Sequence, residues 1–223
     1  MKHEILYKPS YSLAVVNMEC DEEIVAESGA MVSMSSGIAI ETSARGGLFG
    51  GLARKFLGGE SFFLNTFHAD EAGEITLAPP LPGDVFHTDM RNETLLVQSG
   101  SYMASSRDIS VDTQWGGART FFSKEGLFLL RVQGSGDLFL SSYGAIHIKE
   151  LRRGESYIVD TGHMVAFDET VDYQVTRVGG LKSTLFSGEG LVCQLTGPGR
   201  ILIQSRSADS FLSWLIPQLP HRR

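Results

Sequence analysis

The feature that most constrains this chain is internal repetition, because three short boxes of residues recur three times in the same order. A repeated segment has to fold the same way each time, so it governs every local assignment. The first box is a hydroxyl residue and a glycine after an apolar run: Val25-Ala26-Glu27-Ser28-Gly29, Leu96-Val97-Gln98-Ser99-Gly100 and Ile158-Val159-Asp160-Thr161-Gly162. From each glycine the match continues without a gap, with Ile38, Ile109 and Val171 nine residues on and Ile40, Val111 and Tyr173 eleven on. Alternation with period two marks a strand with one apolar face.

The second box is Glu60-Ser61-Phe62-Phe63-Leu64, Glu125-Gly126-Leu127-Phe128-Leu129 and Glu189-Gly190-Leu191-Val192-Cys193. The third is Gly73-Glu74-Ile75-Thr76-Leu77, Gly136-Asp137-Leu138-Phe139-Leu140 and Gly199-Arg200-Ile201-Leu202-Ile203. Together they read as a hairpin whose loop shortens along the chain, since loops absorb length changes cheaply. A polar turn precedes each first box, at Asp21-Glu22, Asn92-Glu93 and Gly154-Glu155. Glycine in the first box suits a positive φ or a bulge, and the hydroxyls of Ser28, Ser99 and Thr161 can bond the turned backbone. The same hydroxyl in all three copies argues for a turn role for Ser28, Gly29, Ser99, Gly100, Thr161 and Gly162 rather than for three nucleophiles.

The fold class expected is therefore all-β: three internal repeats of short antiparallel strands, arranged like a β-sandwich or double-stranded β-helix, with a short C-terminal helix. One structural unit covers residues 1–223, with repeats at approximately 4–82, 83–143 and 144–206 and a helical tail at 207–223. A single repeat buries its apolar face poorly, whereas three copies can close a common core. Composition agrees, with hydrophobic residues at 42% and charged residues at 20%, near the globular average. The 25 glycines lack a Gly-X-Y period and so mean many tight turns. In the tail, Ser207-Ala208-Asp209-Ser210-Phe211-Leu212-Ser213-Trp214-Leu215-Ile216 reads as a helix capped by Ser207 or Asp209 and stopped by Pro217, its apolar face covering a sheet edge.

Partners are bounded by charge. The formal net charge is -7, with Arg and Lys scattered singly or in pairs, so the basic stripe that nucleic acid requires is missing. Cys20 and Cys193 are too few and too far apart for a disulfide framework or a zinc site, and two reduced cysteines suit a cytoplasmic protein. No secretory signal opens the sequence, and no run of 18 or more apolar residues would cross a membrane as a helix.

The strings Ser28-Gly29-Ala30-Met31, Gly58-Gly59-Glu60-Ser61-Phe62-Phe63 and Ala78-Pro79-Pro80-Leu81-Pro82-Gly83, with Gly188-Glu189-Gly190-Leu191 and Leu195-Thr196-Gly197-Pro198-Gly199, resemble the prokaryotic family related to altered-inheritance-of-mitochondria (mitochondrial biogenesis) proteins. The likeness covers nearly the whole chain. It implies a β-rich fold similar to that of the tryptophan RNA-binding attenuation protein, repeated within the subunit, and a tendency to oligomerise. It implies no enzymatic activity. The family's mitochondrial members imply a scaffolding role by analogy.

Chemistry-bearing residues are sparse. His68, His87, His147 and His163 are the candidate metal ligands, yet none shows ligand spacing and no His-X-His occurs. His87 and His147 follow Gly83 and Gly144 closely, so they fall at roughly equivalent repeat positions, and His163 follows a box glycine where the other copies have Ala30 and Ser101. His87, His147 and His163 are the polar-site candidates, and solvated structural histidines are the plainer reading. No Gly-X-Ser-X-Gly occurs, and no cofactor is expected. The apolar, glycine-framed stretch from Gly46 to Gly59 is peculiar to the first repeat and lacks the Gly-Lys-Ser/Thr end of a phosphate loop. Its Leu48, Phe49, Leu52, Phe56 and Leu57 flank Arg54 and Lys55, a combination suited to a partner or lipid surface. The function expected is a non-enzymatic oligomeric binding or scaffold protein, a trimer or larger, of unknown small-molecule ligand. The alternatives are a small-molecule enzyme or binding site between repeats and a peripheral membrane module.

Overall fold

The computed structural model describes residues 1–41, 63–112, 128–177 and 191–220. The insertion carrying Leu48, Phe49, Leu52, Phe56 and Leu57 lies outside them, as do the box glutamates Glu60, Glu125 and Glu189. The described residues are mostly strand, with one short α-helix near the C-terminus. The first third of the chain gives β1 (Lys2–Leu6), β2 (Leu13–Met18), β3 (Glu23–Glu27), β4 (Met31–Met34), β5 (Ile38–Glu41), β6 (Leu64–Ala69) and β7 (Gly73–Leu77). The middle gives β8 (Val85–Gln98), β9 (Tyr102–Ser106), β10 (Ser110–Asp112) and β11 (Leu129–Ser141). The last third gives β12 (Ile146–Leu151), β13 (Ser156–Asp160), β14 (Met164–Asp168), β15 (Asp172–Arg177), β16 (Leu191–Thr196) and β17 (Gly199–Gln204), followed by helix α1 (Ala208–Leu215).

The strands pair antiparallel by one scheme in each third. The two strands before the hydroxyl-glycine box pair with the two strands of the later hairpin: β2 with β7 and β3 with β6, the two halves of β8 with the two halves of β11, and β12 with β17 and β13 with β16. The strand after the box pairs with the outgoing hairpin strand, as β4 with β7, β9 with β11 and β14 with β17. Each of these three pairings carries an irregularity, at Val32, Met103 and Val165. The turn between the first two strands holds a positive φ at Asp21 (65°), Asn92 (57°) and Gly154 (77°), the left-handed conformation that Asp, Asn and Gly tolerate best.

Adjacent thirds are joined edge to edge, β3 to β9 and β8 to β14. The core follows this joining. One apolar cluster centres on Ala14, Val16, Ile24 and Phe67 and takes in Met103 and Ala104 of β9. A second centres on Leu95, Tyr102, Leu130 and Val132 and takes in Val165 and Ala166 of β14. A third holds Phe167, Cys193, Leu195 and Ile201 together with Leu96 and Leu129. Strand sequences show why: in β2, Ala14, Val16 and Met18 are buried while their neighbours face outward, the alternation of a one-sided strand.

Three sequence expectations need correction. The residue opposite the end of the box strand is Leu64, Leu129 and Val192, so in the last third the pairing register falls one residue earlier than the Glu-Gly box would align it. From the residue opposite the end of the box strand to the third-box glycine, the distance therefore does not shorten between the middle and last thirds. Of the three first-box glycines only Gly29 has a positive φ, at 95°, whereas Gly100 and Gly162 sit in single 3-10 turns over 99–101 and 161–163. Gly162 is needed for space, because a Cβ there would stand 2.7 Å from Ser207 Oγ. Finally, α1 is capped by Ser207 as expected, but none of its residues is buried, so its apolar face stays largely open. Its Phe211 ring leans edge-on toward Tyr143 at 6.1 Å.

Candidate functional site

The hydroxyl-glycine boxes border two pockets that share Pro80 and Ser141. The backbone N–H groups of Ser28 and Ser99 donate to the carbonyls of Phe63 and Phe128 at 2.9 and 2.8 Å, and Thr161 Oγ1 donates to Leu191 O at 3.1 Å. These bonds tie each box to the start of the later hairpin. Gly100 and Gly162 line an open cavity of about 270 Å³ with Pro80, Ser142, Gln98 and Gln204, and α1 closes one side through Ala208 and Leu212. A neighbouring pocket of about 100 Å³ is lined by Ser28, Gly29 and Met103. The amides in the larger cavity are already engaged: Gln204 Nε2 donates to Gly162 O at 2.9 Å, its Oε1 accepts from Tyr143 N at 2.8 Å, and Gln98 Oε1 accepts from Ser101 Oγ at 3.1 Å. Such groups hold the turns in place rather than converge on a ligand.

The candidate histidines do not meet. His163 Nδ1 donates to the carbonyl of Gln204 at 2.7 Å, a structural bond between its 3-10 turn and the end of β17. His68 lies between Glu23 and Asp70, at 3.4 and 3.6 Å. His147 is exposed. It stands opposite Ile203, whereas His87 stands opposite Phe139, the counterpart of Leu202. The two histidines are thus one residue out of step and face opposite sides of their strands, contrary to the equivalence expected from their distance to Gly83 and Gly144.

His87 instead meets two residues that the sequence did not single out. Strand β1 lays His3 against it with ring centroids 3.8 Å apart, and His87 Nε2 donates to Asp137 Oδ1 at 2.7 Å. The other carboxylate oxygen accepts from the α-amino group of Met1 at 2.9 Å. Phe139 forms the floor, 5.2 Å from the His3 ring and 4.9 Å from that of His87. Burial holds the His87 imidazole below its ordinary pKa despite the Asp137 hydrogen bond, and the adjacent His3 ring adds to the effect. Burial alone would raise the Asp137 carboxyl, but the hydrogen bonds from Met1 and His87 outweigh it and keep the group below the usual range. Nδ1 of His3 is buried and has no hydrogen-bond partner among the described residues. Two imidazoles and a carboxylate, each within reach of the others, form the densest polar cluster described, where ring nitrogens and a carboxylate oxygen lie within 4.8 Å.

The sequence signal for this cluster was faint. His87 occupies the pairing position that Val15 and Ile148 hold in the other thirds of the chain, and an imidazole among aliphatic counterparts is the one clue. His3 belongs to β1, an extra strand outside the repeat scheme.

The family described as mitochondrial biogenesis AIM24 matches residues 3–206, nearly the whole chain. The chain belongs to this family. An uncharacterised protein from Streptococcus pyogenes serotype M6 is 27% identical over 228 residues, covering 99% of this chain and 92% of the relative. The crystal structure of protein SPYM3_0169 from Streptococcus pyogenes is similar with a TM-score of 0.80 at 25% identity, covering 98% of this chain and 99% of that one. The AIM24 match stops at residue 206, so α1 lies beyond it. No helix among the described residues of this AIM24 chain is long and apolar enough to cross a membrane.

Proposed function

We propose that the protein is a self-assembling, non-enzymatic scaffold or binding protein whose copies join head to tail through strands β4 and β13. One observation carries the reading. The joint between thirds is used twice inside the chain, and each use consumes one strand before a box and one strand after the next box. The complementary pair left over is β13 and β4, and each stands at the end of its sheet among the described residues. Positions buried at the internal joints are open at these two ends. Met103 and Val165 are 1% and 0% exposed, and their counterpart Val32 is 58% exposed; Leu96 is 2% exposed and Val25 half-buried, and their counterpart Ile158 is 65% exposed. A free edge with apolar side chains and unpaired backbone groups is a template for another strand. Because the two edges differ, the contact is heterologous and closes into a ring or continues as a filament.

The test is the mass in solution of the untagged chain and of two edge variants. Light scattering is expected to give a multiple of 24.3 kDa for the native protein and the single-chain mass for Val32→Lys and for Ile158→Lys. Mixing the two variants restores one sound joint and is expected to give a dimer that grows no further. A native protein that stays monomeric at micromolar concentration, or variants that assemble as before, would remove the reading.

A further inference from the structure

The cluster below β1 has a composition that the assembly reading does not use. We propose that His3, His87 and Asp137 form a binding site for one divalent first-row transition cation, with zinc as its simplest probe. Three strands bring the donors together: β1 supplies His3, β8 supplies His87 and the start of the second half of β11 supplies Asp137. One ligand atom from each lies within 4.8 Å of the others. Two neutral imidazole nitrogens and one carboxylate oxygen are the mixed set that zinc, cobalt and iron(II) favour, whereas calcium and magnesium want oxygen alone.

The geometry needs a small expansion. Bonds of ~2.0–2.1 Å in a tetrahedral site put neighbouring ligand atoms about 3.3 Å apart. His87 Nε2 and Asp137 Oδ1, now joined by a hydrogen bond at 2.7 Å, would open slightly and admit the cation in place of the shared proton. The remaining separations close from the other side. Two further features point the same way. The buried Nδ1 of His3 has no partner among the described residues, and a buried imidazole nitrogen left unmet is costly. Two imidazoles also lie with centroids 3.8 Å apart above a phenylalanine floor, so both rings are held in place beside the Asp137 carboxylate. Three protein ligands leave a fourth position for water or for a donor from a bound partner. The site spans the first and second thirds of the chain, so a cation there would pin β1 and with it the first third against the β8–β11 hairpin.

The experiment uses untagged protein stripped with chelator and titrated with zinc against a chromophoric competitor. One zinc per chain is expected, with a rise in Tm on binding and, for cobalt, the intense visible bands of a tetrahedral ion. His3→Gln, His87→Gln and Asp137→Asn are each expected to weaken zinc at least tenfold, while His147→Gln, on an exposed strand face, leaves it unchanged. Should a variant lose its β-sheet circular dichroism, zinc protection of His3 and His87 from diethyl pyrocarbonate in the native chain gives the answer without substitution. No zinc bound at micromolar concentration, or unchanged affinity in the His3→Gln/His87→Gln double variant, overturns the site.

Discussion

Ser106 accepts the backbone N–H of Asp137 through its hydroxyl oxygen at 2.9 Å. The same bond recurs from Glu74 to Ser35 at 2.9 Å and from Arg200 to a carboxylate oxygen of Asp168 at 2.7 Å. In each case the donor follows the glycine that opens the third box. A Cβ on Gly73 or Gly136 would stand 2.8 Å from the Cβ of Ser35 or Ser106, and one on Gly199 would stand 3.2 Å from that of Asp168. Glycine and acceptor are thus parts of one device: the bare backbone lets the acceptor side chain come close enough to take the next N–H.

That device can be separated from the ion pair laid over it. Asp168 also holds the Arg200 guanidinium at 3.0 Å. Asp168→Ala is expected to destabilise the protein by about 1.5–3 kcal/mol, because it removes a charged acceptor from a partly buried N–H. Asp168→Ser restores an acceptor of the kind used by Ser35 and Ser106 and is expected to recover a large share of that loss. Urea unfolding of both variants checks the order.

The two box glycines, Gly29 and Gly100, are expected to respond differently to alanine. Gly29→Ala meets no neighbour within 4 Å but forces a side chain onto a φ of 95°, at a cost of roughly 1–2 kcal/mol. Gly100 has no positive φ and is exposed, so Gly100→Ala is expected to change stability by about 0.5 kcal/mol or less. Equal losses in thermal unfolding would contradict the backbone argument.

Register at the proposed intermolecular joint follows from the internal ones. Val25 faces Ser105 and Leu96 faces Phe167, and the counterparts of these residues on the free edges are Ile158 and Met34. Opposed residues in an antiparallel pair have Cα atoms ~4.5–5.5 Å apart, within disulfide range. In a Cys20→Ser background, Met34→Cys combined with Ile158→Cys is expected to give covalent multimers on mild oxidation. Single variants are expected to stay unlinked, and an unlinked double variant would count against the register.

The cysteines give a pH signature. Burial pushes the Cys193 thiol up to about 12, against about 8.5 for a thiol in the unfolded chain. The folded state therefore holds its proton where the unfolded state releases it, and stability falls as pH rises above about 8.5. By about pH 10 the loss amounts to roughly 2 kcal/mol, and Cys193→Ala is expected to flatten the decline even though it lowers stability at neutral pH. Cys20 is exposed, and the adjacent Asp21 carboxylate raises its thiol. Thiol reagents are expected to reach Cys20 in the folded protein, faster as pH rises, and Cys193 only on unfolding.

The strands were legible because period-two alternation is local and each box repeats it. So was the turn at Asp21, Asn92 and Gly154, since the residues that tolerate positive φ are few. The one-residue slip at Val192 was not, because Glu189-Gly190 imitates Glu125-Gly126 while backbone pairing alone decides register. His3, His87 and Asp137 come from unlike places in the scheme, and only tertiary packing brings them together. The exposure of α1 was equally hidden, as an amphipathic sequence announces an apolar face but not what lies against it.

In the outer thirds each hairpin is broken into short strands, but β8 and β11 run unbroken for 14 and 13 residues, with other strands paired along both. Amides in this double spine, such as those of Val97 and Leu140, can exchange with solvent only when most of the molecule opens. Amides of β1, β5, β12 and β15, each paired on one side among the described residues, need only a local breath. Deuterium uptake should therefore run inward from the two ends of the chain, with the middle third as the last cooperative unit to let go.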